Sequence, residues 1–170
     1  MSFISASFSS DPYRKIWRPE EKGGLFKQLC NASSFVRGLG LRLRFGELSR
    51  APLFMLRLQV VAEIAECDWM ARSPDPWDVD LPGSLQHRHA SLQALRDAID
   101  IRGLLFETLP QVERANFRVF RQSQESSPEM IIAGSVHRND QSSRDVHSIV
   151  MRAKVLGFRF RMEGDVLRKI

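Results

Sequence analysis

The stretch SLQHRHASLQALRDAIDIRGLLFETLP, residues 84–110, decides the fold, because it carries the longest helical pattern in this chain of 170 residues. Its large apolar side chains recur at helical spacing from Leu85 to Leu109. This spacing predicts one long amphipathic helix with a continuous apolar side. Pro110 helps to end the helix, and Gly103 weakens it by about 1 kcal/mol relative to alanine. The segments on either side are expected to cover the apolar side.

Strand patterns flank this helix. On its amino-terminal side, IAECDWMA at 64–71 alternates, with Ala65, Cys67 and Trp69 on one side of the predicted strand. A proline-rich loop, RSPDPWDVDLPG, separates the strand from the helix. On its carboxyl-terminal side, NFRVFRQ at 116–122 and EMIIAGSVHR at 129–138 enclose a polar turn. These two runs predict a β-hairpin.

A second, shorter helix is predicted after the hairpin. Ser142, with Asp145 three residues later, resembles a capping box at its start, and Gly157 suits its end. The stretch GFRFRMEGD at 157–165 then alternates as a strand does. From about residue 64 the order is therefore strand, helix, strand, strand, helix, strand. This order predicts an α+β domain of the ferredoxin-like, or split βαβ, class.

The amino-terminal third predicts additional strands in front of this arrangement. Residues 1–24 are rich in serine, proline and glycine and are expected to form a flexible arm, with residues 25–170 as one α+β domain. LGLRLRF at 39–45 and LRLQV at 56–60 both alternate, which favours a hairpin. A helix beginning at Ser49 fits residues 49–62 as well, so the sequence leaves helix and strand open there.

Composition limits the classes of function. The chain carries 25 basic and 20 acidic residues, a formal net charge of +5, and only five of the basic residues are lysines. Since a bias towards arginine can arise from GC-rich coding, the charge by itself does not indicate nucleic-acid binding. Two cysteines cannot form a disulfide framework, and no signal peptide or membrane span is apparent. A cytoplasmic protein without a membrane contact is expected.

The arginines of GFRFRMEGD pose the main question about the surface. In a ferredoxin-like sheet the last strand lies beside the first, and one side of the sheet is left uncovered by helices. Arg159 and Arg161 would then lie on the uncovered side opposite Glu66 and Asp68. Opposite charges on neighbouring strands contribute roughly 0.2–1 kcal/mol each. Two interpretations remain open, an ion-paired sheet and a surface of arginines that faces a ligand.

No residue pattern predicts a metal site, a cofactor or a catalytic group. His87 and His89 are two residues apart on a helix, so they point to nearly opposite sides and cannot bind one ion together. Cys67 lies between Glu66 and Asp68, whose charges would raise its pKa and disfavour the thiolate. We therefore expect no cofactor and no metal, and we favour a non-enzymatic protein over an enzyme.

Three hypotheses of function remain. The first is a non-enzymatic binding or interaction domain that meets a protein partner or its own copy through the uncovered sheet and the DPWD loop, with Trp77 as an anchor. Trp77 could instead fold back over the sheet. The second is binding of single-stranded RNA through Arg118, Phe120, Arg159 and Arg161. The third is an enzyme that uses His137 with Glu66 or Asp68 as its acid-base groups.

Overall fold

A computed structural model describes residues 19–123, 127–140 and 146–170. These residues form three helices and seven strands in a mixed α+β arrangement. In chain order the elements are α1 (Pro19–Arg42), β1 (Phe54–Val61), β2 (Ile64–Met70), α2 (Gly83–Thr108), β3 (Arg114–Arg121), β4 (Glu129–His137), α3 (Ile149–Val155), β5 (Phe158–Arg159), β6 (Arg161–Glu163) and β7 (Val166–Arg168).

Five of the strands form one sheet in which the spatial order follows the chain order, β1-β2-β3-β4-β5. Strands β2 and β3 are parallel, and the other neighbouring pairs are antiparallel. Helix α2 connects the parallel pair, as a crossover between parallel strands requires. The remaining strands, β6 and β7, pair with each other in a separate hairpin.

The predicted ferredoxin-like arrangement is not confirmed, because the strand order differs from it. The strand after the last helix, β5, pairs with β4 at the edge of the sheet, whereas that arrangement would place it beside β2. Both sides of β2 are occupied by β1 and β3. A two-residue turn, in which Ala62 has a φ of 53°, folds β1 directly onto β2. This local hairpin occupies the edge that β5 would need.

The core lies between the sheet and the helices. Ala65, Cys67 and Trp69 point into it from β2, as predicted. The Trp69 and Phe117 rings meet edge to face at 5.6 Å, and the Phe117 and Phe158 rings lie 5.7 Å apart. Helix α2 contributes the largest group of buried side chains, among them Leu95, Ile99, Ile101, Leu104 and Leu105. The long helical pattern therefore organises the core.

The amino-terminal prediction is partly wrong. Residues 39–42 end α1 instead of forming a strand, and residues 43–45 lie outside any strand. Alternation placed Leu39, Leu41 and Leu43 on one side, but Leu39 and Leu43 are also four residues apart, which is helical spacing. Those two pack against the core, while Leu41 is 76% exposed. Strand β1 confirms the strand at 56–60 and excludes the alternative helix over 49–62.

The predicted arm falls largely outside the described residues. Residues 1–18 are not among those that the structure describes, and residues 19–24 form the first part of α1. The domain boundary after residue 24 therefore remains a prediction.

The carboxyl-terminal prediction is confirmed in part. Ser142 and Asp145 lie outside the described residues, but residues 146–148 are not helical, so the helix begins at Ile149, later than predicted. Its cap is Ser148, whose hydroxyl accepts a hydrogen bond from the Met151 amide at 3.4 Å. Gly157 ends the helix with a φ of 87°, as predicted. The strand predicted from 158 is shorter than expected. A turn with Gly164 at a φ of 61° folds the following residues into the β6–β7 hairpin.

A buried ion pair fixes the connection between α1 and β1 to the core. Arg72 and Asp97 are both buried, with Nε and Oδ2 2.9 Å apart. Arg72 also donates to three backbone carbonyls of that connection, those of Leu43, Arg44 and Ala51. Gln93 donates to Asp97 Oδ1 at 2.9 Å and accepts from the Leu48 amide at 2.8 Å. Every charged oxygen in this buried cluster therefore has a donor.

Candidate functional site: the open face and the DPWD loop

The side of the five-stranded sheet that faces away from α2 is called the open face below. In the part of the chain that the structure describes, the three helices and the β6–β7 hairpin contribute to the core on the opposite side. Strand alternation places every second residue of β1 to β4 on the open face. Glu66 and Asp68 lie there, as predicted from the inward orientation of Cys67.

Two ion pairs hold the carboxylates of the open face. Arg118 donates to Asp68 through Nε at 2.9 Å and through Nη2 at 2.6 Å. The hydrogen bonds to Asp68, together with its charge, raise the pKa of Arg118. Arg57 Nη2 lies 2.6 Å from Glu66 Oε2. These four side chains and Asn116 line a shallow recess of about 440 Å³ in which the formal charges cancel.

The predicted partners of these carboxylates are wrong. Arg159 lies on β5, three strands away from β2, and its register neighbour on β4 is Ala133. Arg161 lies on β6 and donates to Glu163 at 2.8 Å, outside the five-stranded sheet. The ion-paired interpretation therefore describes the sheet correctly but assigned the wrong arginines, because it assumed that the last strand neighbours the first.

An apolar row crosses the open face beside the ion pairs. It consists of register neighbours on four successive strands, Phe54, Met70, Phe120 and Met130. Phe54 is 59% exposed, and the other three are half-buried. Leu56, in the irregular part of β1, is 53% exposed next to this row. Sequence reasoning placed only Phe120 on this surface, because the row exists only once the strand order is known.

The DPWD loop is held in shape by its own hydrogen bonds. Asp75 accepts from the Trp77 amide at 2.9 Å and from the Arg50 amide at 2.8 Å. These hydrogen bonds lower the pKa of Asp75. The Asp78 carbonyl accepts from Gln86 Nε2 at 2.8 Å, which attaches the loop to α2.

Trp77 points away from the rest of the molecule. Its side chain is 81% exposed, so the alternative in which it folds back over the sheet is wrong. The segment that carries it leaves β2 directly after Met70, which is a member of the apolar row. The loop therefore presents a large aromatic ring from the same end of the sheet as the row.

The groups named for an enzyme do not form a site. His137 lies on β4, across β3 from β2, and adjacent strands are about 4.8 Å apart, so its backbone is about 10 Å from that of β2. In register, His137 pairs with Arg114 on β3, and Arg114 pairs with Ile64 on β2, so His137 is not aligned with Glu66 or Asp68. Burial raises the pKa of the Cys67 thiol, and the charge of Asp68 raises it further. A proton transfer between His137 and these carboxylates has no geometric basis here.

The other candidate ligands are dispersed. His89 Nδ1 lies 3.4 Å from Asp78 Oδ2, while His87 is exposed on the same helix. Among residues 19–123, 127–140 and 146–170, no three histidine, cysteine or acidic side chains are grouped as metal ligands.

Within the same described ranges, no helix has both the length and the apolar character needed to cross a membrane.

Comparisons with models of known protein families, with characterised proteins and with solved structures found no match for this chain.

Proposed function

We propose that this protein is a non-enzymatic interaction domain that binds a protein through the open face and the DPWD loop. The observation that carries the proposal is Trp77, an exposed aromatic ring on a hydrogen-bonded turn. Tryptophan is enriched among the residues that dominate binding energy at protein interfaces. A turn that is already ordered loses little conformational freedom on binding.

The apolar row and the ion pairs support the same proposal. Phe54 and its three register neighbours extend across four strands, and contiguous apolar surface of this kind is typical of interaction sites. The pairs Arg57–Glu66 and Arg118–Asp68 lie beside the row. Polar groups around an apolar centre are the usual anatomy of a protein interface. The partner is a different protein or a second copy of this chain. We propose that the interaction takes place in the cytoplasm.

Single-stranded RNA is the second candidate. Phe120 lies on the open face and Arg159 is exposed on β5, an arrangement on which a base could stack beside a phosphate. The remaining arginines favour it less. Arg118 and Arg57 are bound to carboxylates, and Arg161 is bound to Glu163. Asp68 is only 6% exposed and holds Arg118 through two hydrogen bonds, so a phosphate would have to displace a nearly buried carboxylate there.

Site-specific photo-crosslinking in cells tests the proposal. A photoreactive phenylalanine analogue replaces Phe54, Trp77 or Phe120 in separate variants. The matched control replaces Met151, which is 51% exposed on α3. We expect discrete protein adducts from positions 54, 77 and 120 and none from position 151. An adduct at about twice the chain mass of 19.5 kDa would identify a second copy as the partner.

The outcomes separate the candidates. Adducts with RNA, and not with protein, would replace the first candidate by the second. Adducts of equal yield from position 151, or none from the three positions on the open face and the loop, would contradict an interface at this place.

A further inference from the structure

A crevice of about 750 Å³ opens at the carboxyl ends of the two parallel strands. Residues 71–74 after β2 and residues 121–123 around the end of β3 form two of its walls. The first half of α2 contributes Ser84 and His87, and the β6–β7 hairpin contributes Arg168. The volume falls within the range of pockets that hold small molecules, roughly 300–1,000 Å³.

Positive charge is concentrated at this crevice. Arg121 donates to the Leu167 carbonyl at 3.0 Å, which places it beside Arg168. It also donates to Glu129 at 2.9 Å. The hydrogen bond from Arg121 lowers the pKa of Glu129, and the charges of Arg121 and Lys169 contribute. Two cationic side chains, Arg121 and Lys169, therefore act on Glu129, and Arg168 follows the residue whose carbonyl binds Arg121.

The counter-charge of Arg168 lies outside the crevice. Its Nε is 3.1 Å from Glu163 Oε2, and both side chains are half exposed. Glu163 also binds Arg161, so its single negative charge is shared between two arginines. Exposed pairs of this kind contribute about 0–1 kcal/mol, so a phosphoryl group can displace Glu163 from Arg168 at little cost.

The start of α2 adds to the positive potential. The residue before the helix, Pro82, provides no side-chain cap, and the first turn contains no acidic residue. The amide groups of a first turn, together with the helix dipole, favour an anion. Apolar side chains complete the wall, among them Ala71, Pro74 and Ile131.

From this arrangement we propose that the crevice binds a small phosphorylated molecule, with the phosphoryl group at Arg121 and Arg168 and an apolar group against Pro74 and Ile131. Guanidinium groups bind phosphate oxygens through paired hydrogen bonds, which favours phosphate over a single point charge. This site is separate from the open face, so the proposal does not depend on the interaction domain proposed above.

The test measures saturable binding by calorimetry at constant ionic strength. The probes are inorganic phosphate, phenyl phosphate and acetate, with sodium chloride as the ionic-strength control. We expect phenyl phosphate to bind more tightly than inorganic phosphate, because its ring contacts the apolar wall. Acetate is expected to bind most weakly. The Arg168→Gln variant should lose about tenfold or more in affinity for phenyl phosphate, the equivalent of one charge-assisted contact.

A matched control removes the same charge elsewhere. Arg114 lies on β3, at the end opposite to Arg121, and Arg114→Gln should bind phenyl phosphate like the wild type. If Arg168→Gln does not fold, amide chemical shifts of Ser84 and His87 in the wild type report binding at the crevice instead. An equal loss in both variants, no saturable binding, or shifts confined to other residues would overturn the proposal.

Discussion

At the scale of single residues, arginine acts mainly as a structural donor in this protein. Arg138 donates to the carbonyls of Phe106, Leu109 and Val112 near the end of α2. Arg102 donates to the carbonyls of His137 and Asp140. A guanidinium group with five donors can bind several backbone carbonyls at once. Much of the basic excess is therefore bound within the fold.

Replacing Arg72 should have the largest effect of any single arginine change. The Arg72→Met variant leaves the buried Asp97 carboxylate without its ion pair and three carbonyls without a donor. Removing one partner of a buried pair typically lowers the free energy of unfolding by about 3–5 kcal/mol. Urea denaturation at pH 7 measures this loss. The double variant Arg72→Met with Asp97→Leu should recover part of it, and a double variant less stable than the single one would contradict this account.

The loss in Arg72→Met should depend on pH. Burial raises the pKa of Asp97 above its ordinary value of 3.8, and Arg72 opposes that rise. A carboxyl whose folded pKa is raised favours the folded state at low pH and loses this contribution as the pH rises through the folded pKa. Without Arg72 the folded pKa rises further. The difference between Arg72→Met and the wild type should therefore shrink as the pH falls towards 4, as measured by urea denaturation at several pH values.

The two ion pairs of the open face should differ in their contribution. Asp68 is only 6% exposed, so Arg118→Gln leaves a largely buried carboxylate poorly paired and should lower the free energy of unfolding by about 1–3 kcal/mol. Arg57 and Glu66 are each about 40% exposed, and Arg57→Gln should lower it by less than about 1 kcal/mol. Urea denaturation of both variants measures the difference. Equal losses would show that the burial of Asp68 does not matter.

At the scale of elements, long periodic segments could be predicted from the sequence, and strand order could not. Helix α2 and the β3–β4 hairpin repeat their patterns over many residues, so local spacing identifies them. The position of β5 depends on which edge of the sheet β1 occupies. The turn at Ala62, far from β5 in the chain, places β1 beside β2. The same distinction applies to the candidate site. The orientation of Glu66 and Asp68 follows from local alternation, but their partners follow from strand order.

The attachment of β5 depends on a glycine. A Cβ atom on Gly134 would lie 2.9 Å from Phe158 Cδ1 and 3.1 Å from the Gly157 carbonyl oxygen, so β5 lies against bare backbone. The Gly134→Ala variant should lower the free energy of unfolding by about 1–3 kcal/mol through this overlap. Gly103 provides the control, since a Cβ there meets nothing within 4 Å.

Gly103→Ala should raise the free energy of unfolding by about 0.5–1 kcal/mol, because alanine is the better helix former. Thermal and urea denaturation of the two variants measure the contrast. If Gly134→Ala raised the free energy of unfolding, β5 could move away from β4 without destabilising the fold, which would contradict this account.

At the scale of the whole molecule, net charge should be a poor guide to nucleic-acid affinity. The chain has a formal net charge of +5, but Arg57 and Arg118 on the open face and Arg161 and Arg168 in the β6–β7 hairpin are paired with carboxylates. We expect only weak binding to a labelled oligouridine in fluorescence anisotropy, with most of it lost at about 150 mM salt, as counterion release predicts. Tight binding that resists salt and is weakened by Arg159→Gln would favour the RNA candidate.

The agreement between spatial order and chain order in the sheet has a consequence for synthesis on the ribosome. Each new strand of the five-stranded sheet joins the edge left by the previous one, so no strand has to wait for a later segment to be inserted between it and its neighbour. The longest delay comes at α2, which must be made before β3 can join β2. After β3 has paired with β2, β4 and then β5 add to the same edge of the sheet, and β1 remains at the opposite edge throughout.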